Sequence, residues 1–227
     1  MNWKDKYLNK VIQGDCMDVM KELPDNCIDL VLTDPPYGIN YSPKGFVGVV
    51  DKGLSTQRYI NSTSKHDKKD WDKSTPPQSV FHNLFRVSKD QMIFGGNYFN
   101  LPPTRGMIFW DKKNNSDRHS DGELVWTSFD CRMRKAVVPW GGFYSAHSKE
   151  SGKHPTQKPV EIMVWCLENY LLKNWKEDRR PIVFDGFGGS GTTAVACKKC
   201  GCDYILVEKE PDYVEICNKR LAQDTLF

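Results

Sequence analysis

Near the C-terminal end of the chain, Ile182-Val183-Phe184-Asp185 reads as a buried strand that runs directly into Gly186-Phe187-Gly188-Gly189-Ser190-Gly191. A helix follows from Thr192, and then the strand Tyr204-Ile205-Leu206-Val207-Glu208 ends on an acid. Strand, glycine loop, helix, strand and terminal carboxylate are together the plan of a nucleoside-binding βαβ unit. The loop backbone approaches the ligand closely, and the acid reaches ribose hydroxyls. No other feature constrains the fold as strongly. Parallel strands joined by a helix belong to a sheet covered on both faces. Only one helix, from Pro211, comes after this unit. The remaining strands must come from the N-terminal part, so the nucleoside half is C-terminal and the chemical half N-terminal, a permuted order.

The rest of the sequence supplies those strands. Apolar residues around Val11 and Ile12 end at Gly14-Asp15, a short helix spans Met17 to Leu23, and Ile28 to Asp34 reads as a buried strand. A helical pattern over Ser79–Val87 leads into the strand Gln91–Phe94, and Met107–Trp110 forms another. Pro159 opens an amphipathic helix to Leu172, with Ile162, Trp165, Cys166 and Leu167 on its apolar side. Alternating strands and helices predict a doubly wound, mostly parallel α/β sheet of Rossmann-like type. The 227 residues suit one catalytic domain over 1–227. Two polar stretches without sustained period, 40–78 and 111–152, interrupt it as insertions, the second broken by Leu124-Val125-Trp126 and Ala136-Val137-Val138.

Asp185 decides which nucleoside ligand the loop accepts. A carboxylate at the mouth of the loop repels a pyrophosphate, which disfavours a nicotinamide dinucleotide. S-adenosylmethionine carries an ammonium and a sulfonium and no phosphate, so the same acid attracts it. Gly189, Ser190, Gly191 and Thr192 form its cradle, and Glu208 meets its ribose.

Asp34-Pro35-Pro36-Tyr37 closes the strand 28–34, and open α/β sheets bind their ligands at the carboxyl ends of strands. The two prolines fix φ and hold the adjoining carbonyls in a defined shape. That arrangement suits one problem. An amino group on a base ring has a delocalised lone pair and is a poor nucleophile. A carboxylate accepting one N–H, with the rigid Pro35 carbonyl accepting the other, favours the pyramidal nitrogen that attacks a methyl group. Tyr37 offers a face for a base extruded from the duplex.

Charge and cysteines set outer bounds. The net charge of +3 permits nucleic-acid binding without diagnosing it. Arg132, Arg134 and Lys135 form a local basic group suited to phosphates or guanine edges, and Lys65, Lys68, Lys69 and Lys73 punctuate a polar stretch. Cys197, Cys200 and Cys202 lack further ligands nearby to complete a tetrahedral metal set, so no metal is expected. The eight cysteines are read as reduced thiols. No apolar run approaches the roughly 20 residues of a membrane span. The N-terminal MNWKDKYLNK has no secretion signal, and a cytoplasmic location is expected.

These residues resemble the DNA N6-adenine and N4-cytosine methyltransferases, in the group whose catalytic motif precedes its cofactor motif. The resemblance rests on Gly14-Asp15, Asp34-Pro35-Pro36-Tyr37, His154-Pro155-Thr156-Gln157-Lys158-Pro159, and Asp185 through Thr193, which span nearly the whole chain. It implies that Asp15 approaches the adenine of S-adenosylmethionine, that Thr156 and Lys158 hold its methionine carboxylate, and that Phe187 lies against it. Glu208 again holds the ribose. The family usually has Pro where this chain has Gly186. Asp before Pro-Pro-Tyr is the form associated with adenine, and the two insertions are where target recognition would sit. Implied partners are double-stranded DNA, with a second copy of the chain and a separately acting restriction endonuclease as further candidates. The alternatives are an N4-cytosine enzyme, an RNA base methyltransferase, a non-catalytic cofactor-binding protein and an NAD-dependent oxidoreductase.

Overall fold

In a computed structural model, residues 2–39, 72–113, 120–140 and 157–223 are described. The chain begins with α1 (Trp3–Tyr7), β1 (Lys10–Gln13), α2 (Cys16–Glu22) and β2 (Ile28–Thr33). After the first insertion come α3 (Gln78–Val87), β3 (Ser88–Phe94), β4 (Ile108–Asp111), β5 (Gly122–Thr127) and β6 (Arg134–Val137). The C-terminal part carries α4 (Val160–Cys166), β7 (Ile182–Asp185), α5 (Thr192–Cys200), β8 (Asp203–Glu208) and α6 (Pro211–Ala222).

The strands join into one sheet in the order β1-β8-β7-β2-β3-β5-β4-β6. Every pairing is parallel except those of β5, which runs antiparallel to both β3 and β4. The central strand β2 pairs with β3 on one side and with β7 on the other. The predicted topology is thus met: the nucleoside half at the C-terminus lies beside strands supplied by the N-terminal half.

Strand alternation divides the core between two faces, because successive side chains point oppositely. Leu30 and Leu32 of β2 face one layer, with α4, α5 and Cys217 of α6. Val31 faces the other, with α1, α2 and α3, and Ile28 at the start of the strand packs into that same cluster. All four are fully buried, as a sheet covered on both faces requires.

The observed elements depart from expectation at three places. The helix predicted from Pro159 to Leu172 is α-helical only to Cys166; Leu167–Leu171 widen into a π-type turn and Leu172–Asn174 tighten into a 3-10 turn. The stretch 111–152 supplies two strands of the sheet, β5 and β6, and Gln78 at the end of the other stretch already belongs to α3. A five-residue helix, α1, precedes β1; at that length it carries too little apolar periodicity to be read. Among the described residues, no helix is long and apolar enough to cross a membrane.

Candidate active site

Gly14, Asp34, Gly95, Gly186 and Glu208 all stand at or just past the carboxyl ends of parallel strands, so the sheet gathers them along one edge. Two loops dominate that edge. One follows β2 and the other follows β7, its neighbour in the sheet.

The loop after β2 begins with Asp34, whose two carboxylate oxygens each accept a strong bond. Tyr37 donates its hydroxyl to Oδ1 at 2.7 Å. Lys158 donates Nζ to Oδ2 at 2.6 Å. The same ammonium stands 3.3 Å from Oε2 of Glu123 on β5, and Lys112 grips the other Glu123 oxygen at 2.6 Å. Two carboxylates and two ammonium groups therefore form a compact cluster, with Lys112 and Lys158 each only 9% exposed at the side chain. Burial pushes the Asp34 carboxyl up; Lys158 opposes this and Glu123, as a like charge, adds to it. Burial also acts upward on Glu123, but its two lysines outweigh it and hold the carboxyl below the usual range. Lys158 stays charged: burial disfavours its ammonium, and the two acids more than compensate. Burial and the adjacent Asp34 push the Tyr37 hydroxyl well up, so it remains a neutral donor.

Tyr37 is fixed by more than its hydroxyl. Its ring stacks on Tyr98 at 4.6 Å between centroids and 10° between planes, and meets Phe99 edge-on at 6.1 Å. Gly95 makes room for it. The backbone there has φ +66°, and a Cβ would fall 2.2 Å from Cε1 of the Tyr37 ring. Any other residue at this position would be strained and would displace the ring. Gly38, next in the loop, donates its N–H to Asp72 at 2.9 Å, so the end of the first insertion anchors this loop.

The loop after β7 is built from the backbone outward. Glu208 Oε2 accepts the Gly189 N–H at 2.7 Å and Oε1 accepts the Glu210 N–H at 2.7 Å. Burial raises the Glu208 carboxyl, with those two amides pulling the other way. From behind, the buried Arg220 of α6 donates to the Ser190 carbonyl at 2.7 Å. Gly191 turns the chain into α5 at φ +84°, where a Cβ would press on Cys217. Asp15 caps α2 by accepting the Met17 N–H at 2.9 Å, and Lys209 stands 3.8 Å from its other oxygen. Phe187 is half-buried and packs against the layer that contains α2.

Asp185 joins the two loops. Its oxygens accept from Thr33 at 2.7 Å, from Thr193 at 2.6 Å and from the Phe187 N–H at 3.0 Å. Burial pushes this carboxyl up to about 6, against the pull of the two hydroxyls and the amide. Thr33 directly precedes Asp34, so one buried hydrogen bond couples the loop after β2 to the glycine loop. A second link runs through Lys158, whose carbonyl accepts from Thr192 at 3.3 Å while its ammonium sits on Asp34.

The sequence-predicted residues thus converge unevenly. Asp34, Pro35, Pro36, Tyr37, Lys158, Asp185, Phe187, Gly189, Ser190, Gly191, Thr192 and Glu208 lie along one edge, with Asp15 beside them. Asp185 is 4% exposed and wholly engaged with its neighbours, and the Lys158 ammonium is on Asp34. The basic group Arg132, Arg134 and Lys135 does not join them. Arg134 opens β6, four strands from β2 and so roughly 19 Å away at ordinary strand spacing. Its guanidinium lies over Trp165 at 5.3 Å and Tyr170 at 6.0 Å. Lys135 pairs with Asp111 at 2.7 Å, and Arg132 is exposed. Thr156, His154 and Pro155 lie outside the described residues, as do Lys65, Lys68 and Lys69. Sequence reasoning missed Glu123 and Lys112. Neither lies in a motif, and only the pairing of β5 with β4 brings them together.

The donor set along the glycine loop fits S-adenosylmethionine. Asp15 and Glu208 line it with carboxylates, Asp185 is buried beneath it, and Arg220 approaches from behind to bond the loop's own backbone. Such a lining accepts hydroxyls and attracts a cation, and it disfavours a pyrophosphate.

Comparison with known proteins identifies the family and the fold. The family model for DNA methylases of the N6/N4 type matches residues 81–219. The type II methyltransferase M2.MboI of Moraxella bovis is 25% identical over 273 residues, covering 97% of this chain and 90% of that protein. Among solved structures, the M1.HpyAVI complex with SAM has a TM-score of 0.51 at 20% identity, over 93% of this chain and 98% of that one. The PvuII DNA methyltransferase, cytosine-N4-specific, has a TM-score of 0.56 at 15% identity, over 96% and 88%.

Proposed function

The chain belongs to the N6/N4 DNA methylase family; on that premise we propose that it transfers a methyl group from S-adenosylmethionine to N6 of an adenine extruded from duplex DNA. The observation that carries this reading is the coupling of Asp34 to the acid-lined glycine loop through Thr33 and Asp185. That coupling holds the group that would receive an amino nitrogen next to the cradle that would hold the methyl donor. The choice of adenine is supported by Asp, rather than Ser, before Pro-Pro-Tyr.

Bound in the cradle, S-adenosylmethionine would supply an electrophilic methyl group whose bond to the sulfonium breaks as the new N–C bond forms, leaving a neutral thioether. Glu208, with lone pairs to spare, would hold its ribose hydroxyls, Asp15 would approach its adenine, and Phe187 would lie against it. Asp34 accepts one N–H of the target amino group and the Pro35 carbonyl the other, which localises the nitrogen lone pair. The surplus proton of the methylated nitrogen passes to Asp34, a carboxyl that burial has already lifted. Tyr37, fixed by Tyr98, Gly95 and Asp34, presents the aromatic edge of the site. Of the three basic candidates, Arg132 alone has no sheet or aromatic partner described, and it is the proposed phosphate contact.

Nucleoside analysis of DNA incubated with the protein and isotopically labelled cofactor tests the assignment. Labelled N6-methyladenine is expected. Labelled N4-methylcytosine would overturn the choice of base, and label found in RNA in place of DNA would overturn the substrate.

A further inference from the structure

An unreacted site in which both oxygens of Asp34 already hold donors poses a problem for the proposed chemistry. Each oxygen keeps a lone pair for the target amino group, but Tyr37 at 2.7 Å and Lys158 at 2.6 Å already draw on the carboxylate charge that must localise the nitrogen lone pair. Lys158 cannot simply withdraw, because a buried ammonium without a counter-ion is strongly unfavourable. Glu123 resolves the difficulty. Its Oε2 is already 3.3 Å from the Lys158 ammonium, so a shift of under about 1 Å along a flexible lysine stem would tighten that pair and lengthen the bond to Asp34. We propose that Glu123 is a second counter-ion station for Lys158, toward which the ammonium shifts when the target amino group binds Asp34, so that Asp34 is less tightly held while the ammonium stays paired, and that Lys112 holds the station in position. Glu123 is on this view a positioning residue that acts through Lys158, and the proposal rests on the methyl-transfer reading given above.

The surroundings support two stations rather than one. Asp34 and Tyr37 face the ammonium from the loop after β2, Glu123 faces it from β5, and the Phe94 ring of β3 lies 5.6 Å below. Lys112, just past β4, grips only the far oxygen of Glu123, leaving Oε2 to Lys158 and, at 3.4 Å, to the Tyr37 hydroxyl. Asp185 is behind Asp34, across the Thr33 hydroxyl, and is fully engaged there. The two acids and two lysines balance, so sliding one lysine between two acids changes no net charge in the cluster.

Glu123→Gln tests this. It removes the station and also the like charge beside Asp34. Turnover at neutral pH should fall by at least about tenfold, the scale of one lost charge-assisted contact. At the same time the acid limb of the kcat/KM profile should move to lower pH, because Asp34 is freed of a like charge. Both changes together are the expected result. A fall in turnover with an unmoved limb means a merely structural role, and overturns the proposal; so does a moved limb with normal turnover, or no change in either. Should the single variant not fold, Glu123→Gln with Lys112→Met keeps the cluster neutral, and the same two changes are expected of it. Asp34→Ala, measured alongside, separates the two readings. An active Asp34→Ala sinks the methyl-transfer role of Asp34 itself, whereas an inactive Asp34→Ala with an unaffected Glu123→Gln sinks only the second station.

Discussion

Two aspartates sit at the two ends of the same strand, and both are paired with cations. Asp29, inside β2, is 2% exposed and accepts two bonds from Arg179, at 2.6 and 2.8 Å, with the Ile182 N–H at 2.9 Å and Lys89 also at 2.9 Å. Burial disfavours its charge, yet these donors outweigh burial and hold the carboxyl below its usual range. Asp34, one residue past β2, has one lysine that it shares with Glu123, and burial wins there. Asp29 is saturated, Asp34 is not. The difference teaches that a buried carboxylate with a cation nearby is not by itself a chemical site; a site needs acceptor capacity left over for a substrate. The Asp29 cluster ties the starts of β2 and β3 to the segment before β7, and its geometry leaves nothing to be recruited.

Asp29→Ala should lower stability by about 3 kcal/mol, since the Ile182 N–H is stranded while Arg179, 37% exposed, recovers some hydration. Chemical denaturation would read this, and methyl transfer well below the melting temperature should persist. Glu208→Ala should weaken cofactor binding by about 2 kcal/mol, roughly thirtyfold in Kd by calorimetry, through lost charge-assisted bonds to hydroxyls. Part of that loss would come from the Gly189 amide it also holds. Tyr37→Phe keeps the stack on Tyr98 and removes the bond to Asp34, so turnover should fall by about fivefold, the worth of about 1 kcal/mol.

The pH dependence of stability should follow the same division. Asp185 and Asp34 have raised carboxyls, so keeping them ionised costs stability at neutral pH, and that cost is relieved as pH falls. For Asp185 the window runs from about 6 down toward the ordinary carboxylate range. Asp29 has a lowered carboxyl, so its contribution is present above the ordinary value and lost as pH falls through the lowered one. Melting temperature should therefore rise slightly from pH 7 to 5 and fall below about 4. In Asp29→Ala the fall in acid should be shallower.

Much of this was legible from residue order. The strand expected over 28–34 is β2 at Ile28–Thr33, because apolar Ile28, Leu30, Val31 and Leu32 supply both of its faces, as suits a strand buried on both sides. The C-terminal βαβ unit is as its glycines and terminal acid foretold. What escaped was long-range. Glu123 and Lys112 become neighbours of Asp34 only once antiparallel β5 is inserted between β3 and β4, and nothing local in the sequence encodes that pairing. Arg134 looked like a nucleic-acid contact by its charge, but Trp165 and Tyr170 are brought beneath it by packing of α4 and the turn after it against the sheet. The role of Asp185 shifted for the same reason. Its position at the mouth of the loop suggested open contact with a ligand, and Thr33 and Thr193 from neighbouring elements take up its oxygens.

The central claim, that acceptor capacity at one end of β2 is chemical and at the other end architectural, is tested most directly by matched substitutions. Asp34→Asn and Asp29→Asn make the same isosteric change five residues apart, and each is measured for methyl transfer to DNA and for melting temperature. Asp34→Asn should reduce transfer by at least about a hundredfold, the scale of one preorganised electrostatic contact, with melting unchanged or raised. Asp29→Asn should lower melting, with transfer retained at temperatures where the protein is folded. An active Asp34→Asn variant, or an Asp29→Asn variant that is folded and inactive, would contradict that claim.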